Sequence, residues 1–118
     1  MNHVPELQPA IRSKKRVAFT LRIRPGMGEG YDQRHNPVWP EMLDLLRHSG
    51  ISNYSIFRRD QQLLLVLEVE DFEATWARIE ADPINTRWQE SMAPYFEPIE
   101  GTHPGERFPM FEEVFFMP

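Results

Sequence analysis

The sequence contains no cysteine among its 118 residues. Disulfide bonds, cysteine metal ligands and cysteine nucleophiles are therefore excluded, and the composition is typical of the reducing cytoplasm, which is the location we expect. An excess of positive charge is also absent, because 13 Lys and Arg stand against 18 Asp and Glu, a net charge of -5. Nucleic acid is thus an unfavourable partner, since phosphate binding needs a concentrated basic face.

Long apolar runs are missing as well. No stretch approaches the roughly 20 residues needed to cross a bilayer, so we expect no membrane partner. The first fifteen residues lack the apolar centre of a secretory signal, and Pro5 and Pro9 disfavour regular structure there. We therefore predict a flexible N-terminal tail over 1–15 and a single domain over 16–118.

Patterns for binding metal or phosphate are absent. The four histidines do not show ligand spacing and the acidic residues are scattered, so the sequence predicts no metal site. The glycine-rich segment 26–30 lacks the lysine of a phosphate-binding loop, and no serine lies in a nucleophile-elbow context. We expect no cofactor.

Hydrophobic periodicity predicts a mixed domain of strands and helices. The predicted strands are 16–24, 51–59, 63–70 and 111–118, and the predicted helical segments are 31–47, 71–82 and 83–92. Pro37 and Pro40 must interrupt the first helical segment, so we expect a short helix to about residue 35 and a second helix from near Pro40. Asp82 and Pro83 are typical of an N-cap followed by the first helical residue, and Gly50 is typical of a helix stop.

The second and third strands are predicted to form an antiparallel hairpin, because only a short polar connection separates them. In the second strand, alternation places Tyr54 and Ile56 on one face and Ile51 and Phe57 on the other. The third strand is a nearly continuous apolar run, which is typical of a strand buried on both faces.

The order strand, helix, strand, strand, helix, strand predicts the ferredoxin-like, or split βαβ, fold of the α+β class. This fold has a four-stranded antiparallel sheet with helices on one face. Apolar side chains on both faces of at least two strands mean that the open face must also be covered. A second copy of the chain can cover it, so we expect a homodimer.

Tyr31 and His35 are candidate residues for chemistry. They lie four apart in a predicted helix and so share a face. Histidine is the usual general acid or base near neutral pH, but this spacing is also typical of packing and capping. We interpret the other histidines, His3, His48 and His103, as structural or solvated.

Six amphipathic aromatic residues form a second group of candidates. A carbohydrate offers apolar C–H faces and a ring of hydroxyls, and flat rings with polar tips suit both. The alternative is that these rings belong to the core. The six residues are Tyr31, Trp39, Tyr54, Trp76, Trp88 and Tyr95.

Several strings in this order resemble the L-rhamnose mutarotase family. Together they span the chain from about Arg16 to Pro118. The strings are YDQRHNPVWPE at 31–41, Asn53-Tyr54, Arg87-Trp88 and the terminal EVFFMP.

The resemblance implies a ferredoxin-like fold assembled as a dimeric α+β barrel. It also implies interconversion of the α and β anomers of a 6-deoxy sugar without a cofactor. His35 would be the proton donor, and Tyr31, Tyr54 and Trp88 would bind the sugar. Gln89 stands at the pocket position where some members have a second tryptophan, so L-rhamnose and L-fucose both remain candidate substrates.

Two other functions remain open on the same fold. One is a small monooxygenase that binds haem or an oxidisable aromatic, and the other is a non-catalytic sugar-binding module.

The segment PIEGTHPGERFPM at 98–110 differs from the shorter loops of the best-matched members. It is predicted to be a loop that either closes over the site or caps the dimer.

Overall fold

The computed structural model, which describes residues 14–118, contains a four-stranded antiparallel sheet with the order β2-β3-β1-β4. This is the strand order of the ferredoxin-like fold, so the predicted fold class is confirmed. The strands are β1 Lys15–Arg22, β2 Ser52–Arg59, β3 Gln62–Val69 and β4 Met110–Phe111. The helices are α1 Gly28–Arg34, α2 Pro40–His48, α3 Phe72–Glu80 and α4 Pro83–Met92, followed by a 3-10 turn at Ala93–Tyr95.

The predicted N-terminal tail lies almost wholly outside the described residues. β1 begins at Lys15, the last residue assigned to that tail, and ends two residues before the predicted Arg24. The division of the chain into a tail and one domain therefore stays a prediction.

The start of α4 and the end of α2 lie where their capping residues predict. Asp82 accepts a hydrogen bond from the Ile84 amide at 2.8 Å, and Pro83 is the first residue of α4. Gly50 follows α2 with a φ of +102°, a conformation that glycine adopts without steric cost. The break between α1 and α2 is confirmed, but α1 begins at Gly28 rather than Tyr31. Gly28 and Gly30 thus lie in its first turn, whereas Gly26 precedes the helix with a positive φ of 78°.

A β-bulge in β2 corrects the predicted alternation. Ser52 pairs with Glu68 and Ser55 with Val66, so β2 has one extra residue in this interval. Asn53 occupies it with a positive φ of 48°. The inserted residue reverses the facing of the preceding side chain. Ile51 is therefore buried in the core, whereas Phe57, predicted to share its face, is exposed.

The prediction that β3 is buried on both faces is wrong for the single chain. Its residues alternate in burial: Leu63, Leu65 and Leu67 are buried in the core, whereas Leu64 is exposed. The helices cover only one face of the sheet, which leaves the other face open. The continuous apolar run therefore forms a strand that is buried on one face only within the single chain.

The last strand is much shorter than predicted. β4 comprises only Met110–Phe111, and the rest of the predicted strand continues without regular secondary structure. Its Val114, Phe115 and Met117 side chains are among the most exposed apolar groups of the described chain. Within one chain, β1 offers a partner for only the first part of this segment.

The core lies between the helices and the inward face of the sheet. Its fully buried side chains come from β1, β3, α3, α4 and the segment after β1; the largest are Phe19, Ile23, Leu63, Leu67, Val69, Ile79 and Met92. The inward aromatic ring of Phe19 contacts Phe72, Trp76 and Phe108. Phe19, Trp76 and Phe108 thus form one aromatic cluster between the sheet and the helices.

Candidate active site

A cavity of about 1080 Å³ lies between the inward face of the sheet and the helices. This volume lies just above the usual range for small-molecule sites, about 300–1,000 Å³. Its lining combines apolar core side chains with tyrosine, histidine, amide and charged groups. An apolar cavity with a few converging polar groups is the usual form of a ligand site.

All five sequence-predicted site residues line this one cavity. Tyr31 comes from α1, and His35 directly follows that helix. Tyr54 comes from β2, next to the bulge. Trp88 and Gln89 come from α4. Three elements separated along the chain thus bring these side chains to one space.

His35 is both the C-cap residue of α1 and a cavity-lining residue. Its Nδ1–H donates to the backbone oxygen of Tyr31 at 2.9 Å. Because a carbonyl oxygen can only accept, this bond assigns the proton of the neutral ring to Nδ1. The lone pair of Nε2 is then available to a ligand. The capping and acid/base interpretations are therefore compatible.

Trp88 is held in place by its neighbours. It packs edge-to-face against His35, with ring centroids 5.7 Å apart, and against Trp39 at 5.0 Å. The Arg34 guanidinium lies 5.2 Å from the Trp88 ring centroid and donates to Ser91 Oγ at 2.7 Å. Arg34 does not line the cavity, so it supports the indole from outside. Trp39 does not line the cavity and is packed against the core.

The two tyrosines supply protonated hydroxyls. Burial raises the pKa of Tyr31, and the neighbouring Asp32 carboxylate raises it further. Burial likewise raises the pKa of Tyr54, with a smaller contribution from Tyr31. Neither phenol makes a hydrogen bond to another group within 14–118, so both can donate to a ligand or accept from one.

The alkaline stability of the protein is expected to depend on Tyr31. Well below its usual pKa of 10.0 the phenol is neutral in both the folded and unfolded states. Above that pH the unfolded state loses the proton first, so the free energy of unfolding falls by up to about 1.4 kcal/mol per pH unit. Urea unfolding between pH 8 and 11 should show a steeper loss above pH 10 for the wild-type protein than for Tyr31→Phe. Parallel curves would contradict this expectation.

Asn85 is a cavity residue that the sequence analysis did not single out. It is buried and lines the cavity one turn before Gln89, whose Nε2 donates to its Oδ1 at 3.3 Å. A buried polar side chain facing a cavity is suited to hold a ligand hydroxyl. The available signal was the i, i+4 spacing of the two amides on the helix that carries Trp88.

A second overlooked feature is the ion pair between Asp32 and Arg58, both of which line the cavity. Arg58 Nε donates to Asp32 Oδ1 and Nη2 to Oδ2, each at 2.7 Å. These hydrogen bonds, with the positive charge, lower the pKa of the Asp32 carboxyl. No local pattern could reveal this contact, because the two residues are 26 positions apart.

The segment 98–110 forms part of the cavity wall. Phe108 lines the cavity and stacks on Phe19, with ring centroids 4.7 Å apart. Arg107 pairs with Glu73 and Glu80 of α3, each at 3.5 Å. The end of this segment therefore contributes to the cavity wall, and its role in a dimer stays a prediction.

Metal-ligating groups do not gather in the described part of the chain: residues 14–118 contain no cluster of three His, Asp or Glu side chains suited to a metal ion. Over the same range, no helix combines the length and apolar character that crossing a membrane requires.

Comparisons with known proteins agree on one family. The family model for L-rhamnose mutarotase matches residues 16–117. An L-rhamnose mutarotase from Oceanobacillus iheyensis is 38% identical over 82 residues, which is 68% of this chain and 78% of the relative. One from Opitutus terrae is 38% identical over 92 residues, covering 71% and 88% of the two chains. One from Shigella flexneri serotype 5b is 31% identical over 104 residues, covering 87% and 98%.

A solved structure shows the same fold. The crystal structure of an L-rhamnose mutarotase from Formosa agariphila superposes with a TM-score of 0.71 at 28% sequence identity. The match covers 88% of this chain and 99% of that one. Sequence and structure thus give the same answer over nearly the whole described domain, and the chain belongs to the L-rhamnose mutarotase family of isomerases.

Proposed function

We propose that this protein interconverts the α and β anomers of L-rhamnose, with His35 as the acid/base group. The observation that carries the proposal is the free Nε2 of His35 in a cavity shared with two unpartnered tyrosine hydroxyls and the Trp88 ring. The named relatives support L-rhamnose as the substrate, since each is an L-rhamnose mutarotase. The reaction needs no metal or organic cofactor. In keeping with the lack of cysteine, we propose that it takes place in the cytoplasm.

Mutarotation moves one proton between two oxygens on the same carbon. Nε2 of neutral His35 accepts the proton of the anomeric hydroxyl as the C1–O5 bond breaks, and O5 receives that proton from the imidazolium. The product is the open-chain aldehyde. One nitrogen can serve both oxygens because both are bonded to C1. Such acid/base catalysis contributes about 10²–10⁴-fold.

Ring closure reverses these steps on the other face of the aldehyde. After rotation about C1–C2, His35 takes the proton from the O5 hydroxyl and returns it to the carbonyl oxygen, which becomes the new anomeric hydroxyl. The rotation needs space around C1, and the cavity of about 1080 Å³ provides it. His35 ends the cycle in its starting protonation state.

The tyrosines are assigned to binding rather than proton donation. Their raised pKa values make the phenolate costly to form, so they are poor acids. As neutral phenols they can hold sugar hydroxyls from two sides of the cavity. Trp88 offers a flat ring to the apolar face of the sugar, and Gln89 supplies an amide next to it.

A homodimer formed through the open face of the sheet is part of this proposal. Phe57, Leu64 and Thr20 lie side by side on that face, as do Val66 and Ala18. Phe57 and Leu64 are 58% and 38% exposed in the single chain. A two-fold arrangement places the same patch on both partners, so one apolar face covers the other. The dimer implied by the family resemblance fits this arrangement.

The test is saturation-transfer NMR on the anomeric protons of L-rhamnose, with L-fucose in a second arm, each with and without a catalytic amount of protein. Faster exchange between the α and β signals of L-rhamnose is expected. Acceleration of L-fucose alone would replace the proposed substrate. Binding without acceleration would indicate a sugar-binding module, and a haem absorption band would favour the monooxygenase.

A further inference from the structure

The helix that carries Tyr31 cannot hold its position alone. α1 has only seven residues, and its N-cap residue Met27 makes no side-chain capping bond. Isolated helices shorter than about 12–15 residues are marginal in water. The place of Tyr31, and of His35 directly after the helix, must therefore be set by contacts with the rest of the domain.

The Arg58 side chain supplies such a contact. Its two hydrogen bonds to Asp32 have the parallel, fork-like form that is the most directional pairing of arginine with a carboxylate. A third bond runs from Nη1 to the backbone oxygen of Asp60 at 2.9 Å, which ties the guanidinium to the hairpin turn. The carboxylate belongs to α1 and the guanidinium to β2, the strand that carries Tyr54.

Gly28 completes the contact on the preceding helical turn. A Cβ added at this position would lie 2.5 Å from Arg58 Nη1 and 2.8 Å from Cζ. The guanidinium therefore rests directly against the α1 backbone, in space that only glycine leaves open. Gly28 and Asp32 are four residues apart, so Arg58 touches the same helix face at two successive turns.

We propose that Gly28, Asp32 and Arg58 form a positioning clamp that sets the distance of Tyr31 and His35 from Tyr54 across the cavity. This inference rests on the proposed function and deepens it, because it gives positioning roles to residues outside the proposed acid/base and sugar-binding set. The clamp joins the two elements that must approach the sugar from opposite sides.

The clamp should matter far more for catalysis than for folding. The Arg58 and Asp32 side chains are 29% and 52% exposed, and partly exposed ion pairs add little to global stability. Catalysis is more sensitive, because a misplacement of about 1 Å can cost about 10²-fold in rate. A purely structural pair would lower the melting temperature and the rate together, or change neither.

The first test compares Arg58→Met and Asp32→Asn with Arg22→Met. The control removes another partly exposed ion pair, Arg22–Glu97, that does not line the cavity. We expect kcat for anomer exchange to fall about tenfold or more in the first two variants, with a smaller change in KM and nearly unchanged melting temperature. The double variant should be no worse than either single one. Rates equal to that of Arg22→Met would overturn the inference.

Gly28→Ala provides an independent test within the clamp. The added methyl group should displace the guanidinium from Asp32 and lower kcat as Arg58→Met does. In the Arg58→Met background the same alanine has free space, so it should neither lower kcat further nor reduce the melting temperature. Additive losses in kcat would show that Gly28 acts separately from Arg58.

Amide hydrogen exchange separates the clamp from the proposed function. Loss of Arg58 should speed exchange of the Tyr31 and His35 amides, which bond to Met27 and Asp32 oxygens, while Arg22→Met leaves them protected. If the wild-type protein accelerates neither sugar, the proposed function fails, and this comparison still decides whether the clamp holds α1. Unchanged exchange in Arg58→Met would refute the clamp even in an active enzyme.

Discussion

His35→Asn is expected to lose at least about a hundredfold of the anomer-exchange rate and to remain folded. The asparagine amide can still donate a hydrogen bond towards the Tyr31 oxygen, so the end of α1 keeps a partner. It has no group that takes up and returns a proton near neutral pH. General acid/base catalysis is worth about 10²–10⁴-fold, so its removal should leave little of the enzymatic acceleration.

The matched control is His48→Asn. His48 is the exposed last residue of α2 and does not line the cavity. It should keep the wild-type exchange rate in saturation-transfer NMR. Circular dichroism and thermal unfolding must show that His35→Asn is folded. If it unfolds, His35 is foremost a capping residue, and if it folds with the wild-type rate, the acid/base assignment fails.

Leu64→Arg is expected to convert the proposed homodimer into a monomer. Leu64 lies on β3, a central strand of the sheet, and its side chain is on the open face beside Phe57 and Thr20. In a two-fold dimer one substitution places an arginine on each partner. Like charges forced together in an interface cost on the order of several kcal/mol, enough to separate a dimer of modest affinity.

Analytical ultracentrifugation checks this expectation. The wild-type protein should sediment with twice the chain mass of 14.0 kDa and Leu64→Arg with the chain mass itself. Ala77→Arg adds the same charge at an exposed position of α3, on the helical side, and should leave the dimer intact. A wild-type monomer, or a dimer that persists in Leu64→Arg, would show that the open face is not a dimer interface.

The dimer prediction also bears on the cavity. The helices cover the inward face of the sheet, where all the candidate site residues lie, and the proposed interface uses the outward face. A monomeric Leu64→Arg that keeps its exchange rate would show that each chain carries a complete site. A folded monomer with a lower exchange rate would show that contact with the partner through the open face supports the site.

Local sequence patterns were sufficient for much of this architecture. Hydrophobic periodicity located β1, the short polar connection located the hairpin, and the Asp82-Pro83 pair located the start of α4. The spacing of Tyr31 and His35 placed these two side chains together. Each of these features depends on residues within one turn or one strand. The physical constraints of capping, proline geometry and side-chain period act over that distance, so the sequence alone determined them.

Other features depend on how distant elements meet, and only the tertiary structure decided them. The bulge at Asn53 moved Ile51 into the core, because pairing with β3 rather than the local alternation decides which residue is extra. β4 ended after two residues because its extent depends on the strand beside it. Arg58 contacts Asp32, and Phe108 contacts Phe19, although other helices and strands lie between them in the sequence. Such contacts arise from the packing of whole elements, so no short stretch of sequence contains them.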